Sequence, residues 1–243
     1  MPFPCKKHIL EISPESMVER FEPEDVTPTP KQVARYIGGS KYKMDGEIRG
    51  QTVAAIGQGM HLTAPKMVYA VYPVMGISKS GNLCLGNGSS LTVPPGELDP
   101  QVSCLVAVIC TLGSALEQMC RRLSVKRELL EAVILDAMGV AVLEALSDKT
   151  YELVGELAGR NKLYTGCRFG PGISGMDISN QTVLFSLVKG AKIGVRLNKK
   201  MVMIPNKSVS FFVGLTSDKS ARRNIYKCQA CPRKDCQFRI IHS

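Results

Sequence analysis

The sequence predicts an α+β fold, a single antiparallel or mixed sheet packed with helices. Three observations carry this. Residues 67–74 and 102–111 are dense in β-branched and aromatic residues, the composition of strands. Residues 126–157 carry Leu129, Leu130, Val133, Ile134, Met138, Val142, Leu143 and Leu146 at helical spacing, the longest periodic stretch of the chain. Strand-like segments return at 201–204 and 208–215, after the helices, so strands and helices are not strictly alternating as in a parallel α/β sheet.

The remaining elements follow in order. Residues 1–30 are rich in proline and charge with little periodicity, and predict an extended, loosely packed arm. Thr29-Pro30 opens a short helix over 31–37 that Gly38-Gly39 stops, and a second helix is expected over 45–57. A short strand at 91–93 lies among turns marked by Gly81, Gly86, Gly88 and Pro94-Pro95-Gly96. Gly113-Ser114 leads into a helix to about residue 124, and the long helix after it is expected to be largely buried in its first half. Residues 183–188 suit a helical turn. No internal repeat or Gly/Ser linker divides the chain. Three regions result: an arm (1–30), a core (31–217) and a basic, cysteine-rich tail (218–243).

Composition bounds the function. Hydrophobic residues make up 44% of the 243, enough for one sizeable core. The most apolar region, 129–146, is interrupted by Glu131, Asp136 and Glu144, so no membrane span or membrane partner is expected. The N-terminus has no apolar stretch behind its lysines, which predicts a cytoplasmic protein rather than a secreted one. The nine cysteines are then reduced thiols, with Cys84, Cys104, Cys110 and Cys120 read as small core side chains. The net charge of +10 is concentrated at the C-terminal end, where residues 189–243 hold 13 Lys and Arg against Asp218 and Asp235. Such a tail suits an acidic partner, an anionic ligand or cluster, or nucleic acid, or is simply a solvated basic surface.

Two features could hold a ligand. Gly166-Cys167-Arg168-Phe169-Gly170-Pro171-Gly172-Ile173 reads as a tight loop, in which Gly170 and Gly172 permit close backbone approach. Within it, Arg168 offers a planar fork to a carboxylate or phosphate. The same pattern is also that of an ordinary surface turn. Glu144 lies within the apolar helix, where an unpaired charge is costly, so it requires an internal partner, a route to water, or a cationic ligand group. Asp136 is open to the same argument, less strongly.

These features occur in an order that resembles the activation domain of cobalamin-dependent methionine synthase. The resemblance rests on Arg168-Phe169-Gly170-Pro171-Gly172, Leu184-Phe185, Ile193-Gly194-Val195-Arg196-Leu197, Met203-Ile204-Pro205 and Lys207-Ser208-Val209-Ser210, with Leu143-Glu144-Ala145 standing where the family has Ala-Glu-Ala. It covers residues 130–215 well and 31–125 only in general pattern. It implies a curved α+β fold with a shallow groove for S-adenosylmethionine. It also implies that Arg168 holds the methionine carboxylate, that backbone near Gly170 and Gly172 contacts the ligand, and that Glu144 receives the amino group. Ile173 stands where the family has an aromatic residue after Pro-Gly, so any stacking or hydroxyl contact there is lost. The implied function is a reactivation factor for reductive methylation of cob(II)alamin, the cobalamin being carried by a partner corrinoid protein or methyltransferase.

Cys228-Gln229-Ala230-Cys231-Pro232-Arg233-Lys234-Asp235-Cys236, a C-x2-C-x4-C run, departs from that family. Closely spaced thiols can surround one metal. An iron-sulfur cluster is preferred to zinc, because Cys-Pro recurs in cluster proteins and corrinoid reactivation consumes an electron. Cys167, Cys5 and His242 are candidates for a fourth ligand, with an open iron position as the alternative. The basic tail would then meet an acidic electron donor of flavodoxin or ferredoxin type. Two alternatives stand beside this reading: a zinc-containing nucleic-acid module, disfavoured because only Tyr226 and Phe238 are aromatic near the cysteines, and an S-adenosylmethionine-sensing scaffold.

Overall fold

The computed structural model describes residues 15–78, 81–94, 98–173, 175–219 and 235–239. Its strands are β1 (Met17–Arg20), β2 (Lys66–Ile77), β3 (Asn82–Leu85), β4 (Ser90–Thr92), β5 (Val102–Thr111), β6 (Tyr164–Phe169), β7 (Arg196–Leu197), β8 (Met203–Ile204) and β9 (Ser208–Thr216). The helices are α1 (Pro30–Gly38), α2 (Gly46–Gly59), α3 (Ala115–Val125), α4 (Leu129–Arg160) and α5 (Asn180–Leu187). A seven-stranded sheet runs β4-β3-β2-β5-β9-β6, with β1 paired to β2, and every pairing in it is antiparallel. β7 and β8 form a separate ribbon.

The central strands explain their own composition. On β5, Cys104, Val106, Val108 and Cys110 face α4, while Leu105, Ala107 and Ile109 belong to the opposite core with Leu184, Leu187 and Val188. A strand covered on both faces has no solvent side to alternate against, so its sequence is continuously apolar. β9 divides in the same way, Val213 and Leu215 toward the helices and Phe212 toward Phe169 and α5. α4 lies across the helix-covered face through Leu135, Met138, Val142 and Leu146. Truncating a fully buried Met138 or Leu146 to Ala would cost about 2–5 kcal/mol, enough to make α4 a rigid support for polar groups on its other faces.

Several sequence expectations change here. The arm is part of the sheet from residue 17, since β1 pairs with β2 and Val26 of the short 3-10 turn at Pro23–Val26 is fully buried. The first half of α4 is not uniformly buried: Ala132, Ile134, Leu135, Met138 and Val142 are covered, Leu135 and Met138 lying against Gly59 of α2, whereas Leu129, Leu130 and Val133 face solvent. Cys84 alternates to the outer side of β3 and is exposed, unlike Cys104 and Cys110. Finally, the first part of the expected loop at 166–173 is strand β6, whose register with β9 is interrupted between Thr165 and Arg168. No helix among the described residues is long and apolar enough to cross a membrane.

Candidate functional site

Four residues of α4 line the candidate site, bonded to Arg35, Gly166 and Arg168. Glu144, Ser147, Asp148 and Tyr151 recur at three- and four-residue intervals, which aligns them along one side of the helix. Different elements reach this row at its two ends.

At the first end stands α1, begun by a capping box in which Thr29 and Gln32 satisfy each other's backbone amides. Its last turn carries Arg35, whose guanidinium forms an ion pair and hydrogen bond with the Glu144 carboxylate. Arg35 also donates to the Tyr36 hydroxyl at 3.0 Å and lies 4.8 Å from the centre of that ring. Arg35 is the more enclosed partner, its side chain 12% exposed against 32% for Glu144. Burial, reinforced by the Glu144 charge, pushes the Tyr36 phenol up to about 12 despite the opposing influence of Arg35. Tyr36 is therefore a neutral hydroxyl at physiological pH.

The second end is formed by β6, at the edge of the sheet. Arg168 pairs in register with Val213 and shares its orientation toward the helices. Its Nη1 donates to Ser147 Oγ at 2.7 Å and its Nη2 to Asp148 Oδ1 at 2.5 Å. The guanidinium carbon lies 5.5 Å from the Tyr151 ring centre and 5.8 Å from that of Phe211. Tyr151 is itself fixed by donating to the Gly166 carbonyl at 2.7 Å. The fork is thus held on several sides, while Asp148 remains half exposed.

The turn after β6 serves packing first. A Cβ on Gly170 would stand 3.1 Å from both the Phe211 Cα and the Ser210 carbonyl oxygen, so Gly170 is the point where the turn lies against β9. Gly172 has φ +76° and its amide donates to the Met176 carbonyl; the Ile173 amide donates to the Gly170 carbonyl. Those two amides are engaged within the turn, whereas the Ile173 side chain is exposed, as is that of Ile178 nearby.

Asp136 lies apart from this row, paired with Lys207 at 2.7 Å. Cys110 lies behind the site, in contact with Thr150 at 3.4 Å, and burial pushes its thiol up to about 12, which leaves it an inert core residue. Of the tail cysteines, Cys228 and Cys231 lie outside the described residues, as do Cys5 and His242; Cys236 is described and half-buried, and Cys167 is half-buried on β6. No group of three or more potential metal ligands forms among the described residues. The tail nevertheless reaches the site's periphery. The Ser40 amide donates to the Gln237 carbonyl at 2.7 Å, and the Phe238 ring lies 5.6 Å from that of Tyr36.

Sequence reasoning singled out Glu144 and Arg168 but not Arg35, Tyr36, Ser147, Asp148 or Tyr151. The last three were recoverable in principle from their helical spacing to Glu144.

The sequence matches no protein-family model and no curated protein. Among solved structures, the MetH reactivation domain bound to AdoHcy superposes with a TM-score of 0.65 at 14% identity, over 86% of this chain and 81% of that one. The chain has the fold of that reactivation domain, a mostly antiparallel sheet packed with helices.

Proposed function

We propose that this protein binds S-adenosylmethionine along the polar row of α4 and donates its methyl group to the reduced corrinoid of a separate methyltransferase such as methionine synthase. The observation that carries the reading is that Glu144 of α4, an ammonium acceptor, and Arg168 of β6, a carboxylate fork bonded to Ser147 and Asp148, meet the same face of α4 in a fold shared with a domain that holds AdoHcy. Glu144 and the Asp148 contact point of Arg168 are four residues apart, about 6 Å along the helix. The amino and carboxylate groups of one amino acid fit such a span. Arg168 would hold the carboxylate, Glu144 the ammonium, and the exposed Ile173 would flank the ligand with the turn of Gly170 and Gly172.

The reaction balances as follows. One electron converts cob(II)alamin of the partner to cob(I)alamin, which attacks the sulfonium methyl; methylcobalamin forms and S-adenosylhomocysteine leaves. Methyl transfer removes the reduced corrinoid and draws an unfavourable reduction forward. The thiols of Cys228, Cys231 and Cys236 suit an iron-sulfur cluster, with zinc as the alternative, and a cluster would supply one-electron chemistry. The contacts of Gln237 with Ser40 and of Phe238 with Tyr36 support a tail held near the site, and its basic charge suits an acidic donor such as flavodoxin or ferredoxin.

The test uses a methionine synthase lacking its own activation domain, poised as cob(II)alamin, with a chemical reductant and S-adenosylmethionine. Addition of this protein should produce the absorption spectrum of methylcobalamin and one equivalent of S-adenosylhomocysteine. A cob(II)alamin spectrum unchanged by the protein, with several corrinoid proteins tried, would refute the reading.

A further inference from the structure

We infer that Asp148 is an internal competitor for the ligand seat: it occupies the fork of Arg168 in the free protein and leaves it when a ligand carboxylate enters. The inference rests on the proposed role of Arg168 and goes beyond it, because it names a residue that sets affinity without contacting the ligand.

The two partners of this ion pair are held very differently. Arg168 is 17% exposed and has, besides Asp148, the 2.7 Å bond to Ser147 and the flanking rings of Tyr151 and Phe211. Asp148 is 52% exposed, and among the described residues its carboxylate is bonded to Arg168. Rotation into water therefore releases a solvated carboxylate and leaves behind a fork still aimed at the vacated position. An incoming carboxylate replaces one charge-assisted bond with another of the same type. The net affinity at this end is the difference between the two.

The opposite end behaves otherwise. Arg35 is the enclosed member of its pair, with a buried Nε that has no hydrogen-bond partner among the described residues, so expelling it from Glu144 would strand a cation. A ligand ammonium would join Arg35 at Glu144 rather than replace it. Exchange belongs to the Arg168 end alone, and the exchangeable group is a carboxylate. The site is thereby matched to ligands bearing a free carboxylate beside a cation, the amino-acid portion of S-adenosylmethionine or S-adenosylhomocysteine.

The experiment compares Asp148→Asn with Glu152→Gln, which removes the same charge one turn further along α4, from a side chain paired to Lys149 and not to Arg168. Calorimetry with S-adenosylhomocysteine should show Asp148→Asn binding about three- to fivefold more tightly than the natural protein, the range of a partly exposed ion pair. Glu152→Gln should change affinity less than twofold, and 5′-methylthioadenosine, which has no carboxylate, should not distinguish the proteins. Weaker or equal binding by Asp148→Asn, with the natural protein binding normally, would overturn the competitor and make Asp148 a positioning residue for Arg168. Equal gains in both variants would also overturn it, reducing the effect to general charge. If no protein binds S-adenosylhomocysteine, the proposed function itself fails, and the competitor with it.

Discussion

Replacing Glu144 by Gln separates the two demands placed on that carboxylate, since the amide preserves volume and removes charge. The pair with Arg35 lies between the exposed and buried limits, with side chains 32% and 12% exposed. Exposed pairs contribute about 0.2–1 kcal/mol, and breaking a fully buried one costs about 3–5 kcal/mol. Exposure of Glu144 places the loss nearer the lower limit, at about 1–2 kcal/mol. In a chain of this size that corresponds to a fall in Tm of about 2–8 °C. Urea denaturation of the natural protein, Glu144→Gln, Arg35→Met and the double variant should show a favourable coupling energy of about 1 kcal/mol. Affinity for S-adenosylmethionine should fall about tenfold in Glu144→Gln, the loss of one charge-assisted contact. A variant as stable as the natural protein would refute the structural half of this reasoning. Normal ligand affinity in a destabilised variant would assign Glu144 to the fold alone.

Tyr36 gives a pH signature. Its folded-state pKa of about 12 lies above the unfolded value of 10.0, so its contribution to stability is complete below pH 10 and is lost as pH rises toward 12. Tyr36→Phe should flatten the alkaline fall in urea stability across that window, and an unchanged slope would contradict it. In Glu144→Gln the phenol should titrate lower, yet still above its ordinary value, because burial is the larger cause. Replacing Cys228, Cys231 and Cys236 together by Ser should remove bound metal and spare S-adenosylmethionine binding, since the contacts of the tail with Ser40 and Tyr36 run through Gln237 and Phe238. Unfolding of the core in that variant would show instead that metal binding and folding are one event.

What could be read from the sequence follows from local physics. β5 was legible because burial on both faces leaves a continuous apolar run, and α1 because Thr29-Pro30 and Gly38-Gly39 mark its ends. β6 was not, because Gly166 and the following Pro171-Gly172 carry turn chemistry while Arg168 points from an edge strand. The exposed start of α4 is not legible because Leu129, Leu130 and Val133 fit a helical period, and period alone cannot say which apolar positions are covered. Glu144 was recognisable as a carboxylate needing a partner, but that partner is 109 residues away in sequence, and nothing local points to Arg35. The same holds for the bond between Arg168 and Asp148, which exists only because β6 is brought against α4.

The central claim is that the fork of Arg168 receives the carboxylate of S-adenosylmethionine. Calorimetric titration of that ligand into the full chain and into Arg168→Ala tests it most directly. The natural protein should bind one equivalent, and the variant should lose about 2–4 kcal/mol of binding free energy while its urea denaturation still reports a folded core. A folded Arg168→Ala protein that binds S-adenosylmethionine as well as the natural one would contradict the account.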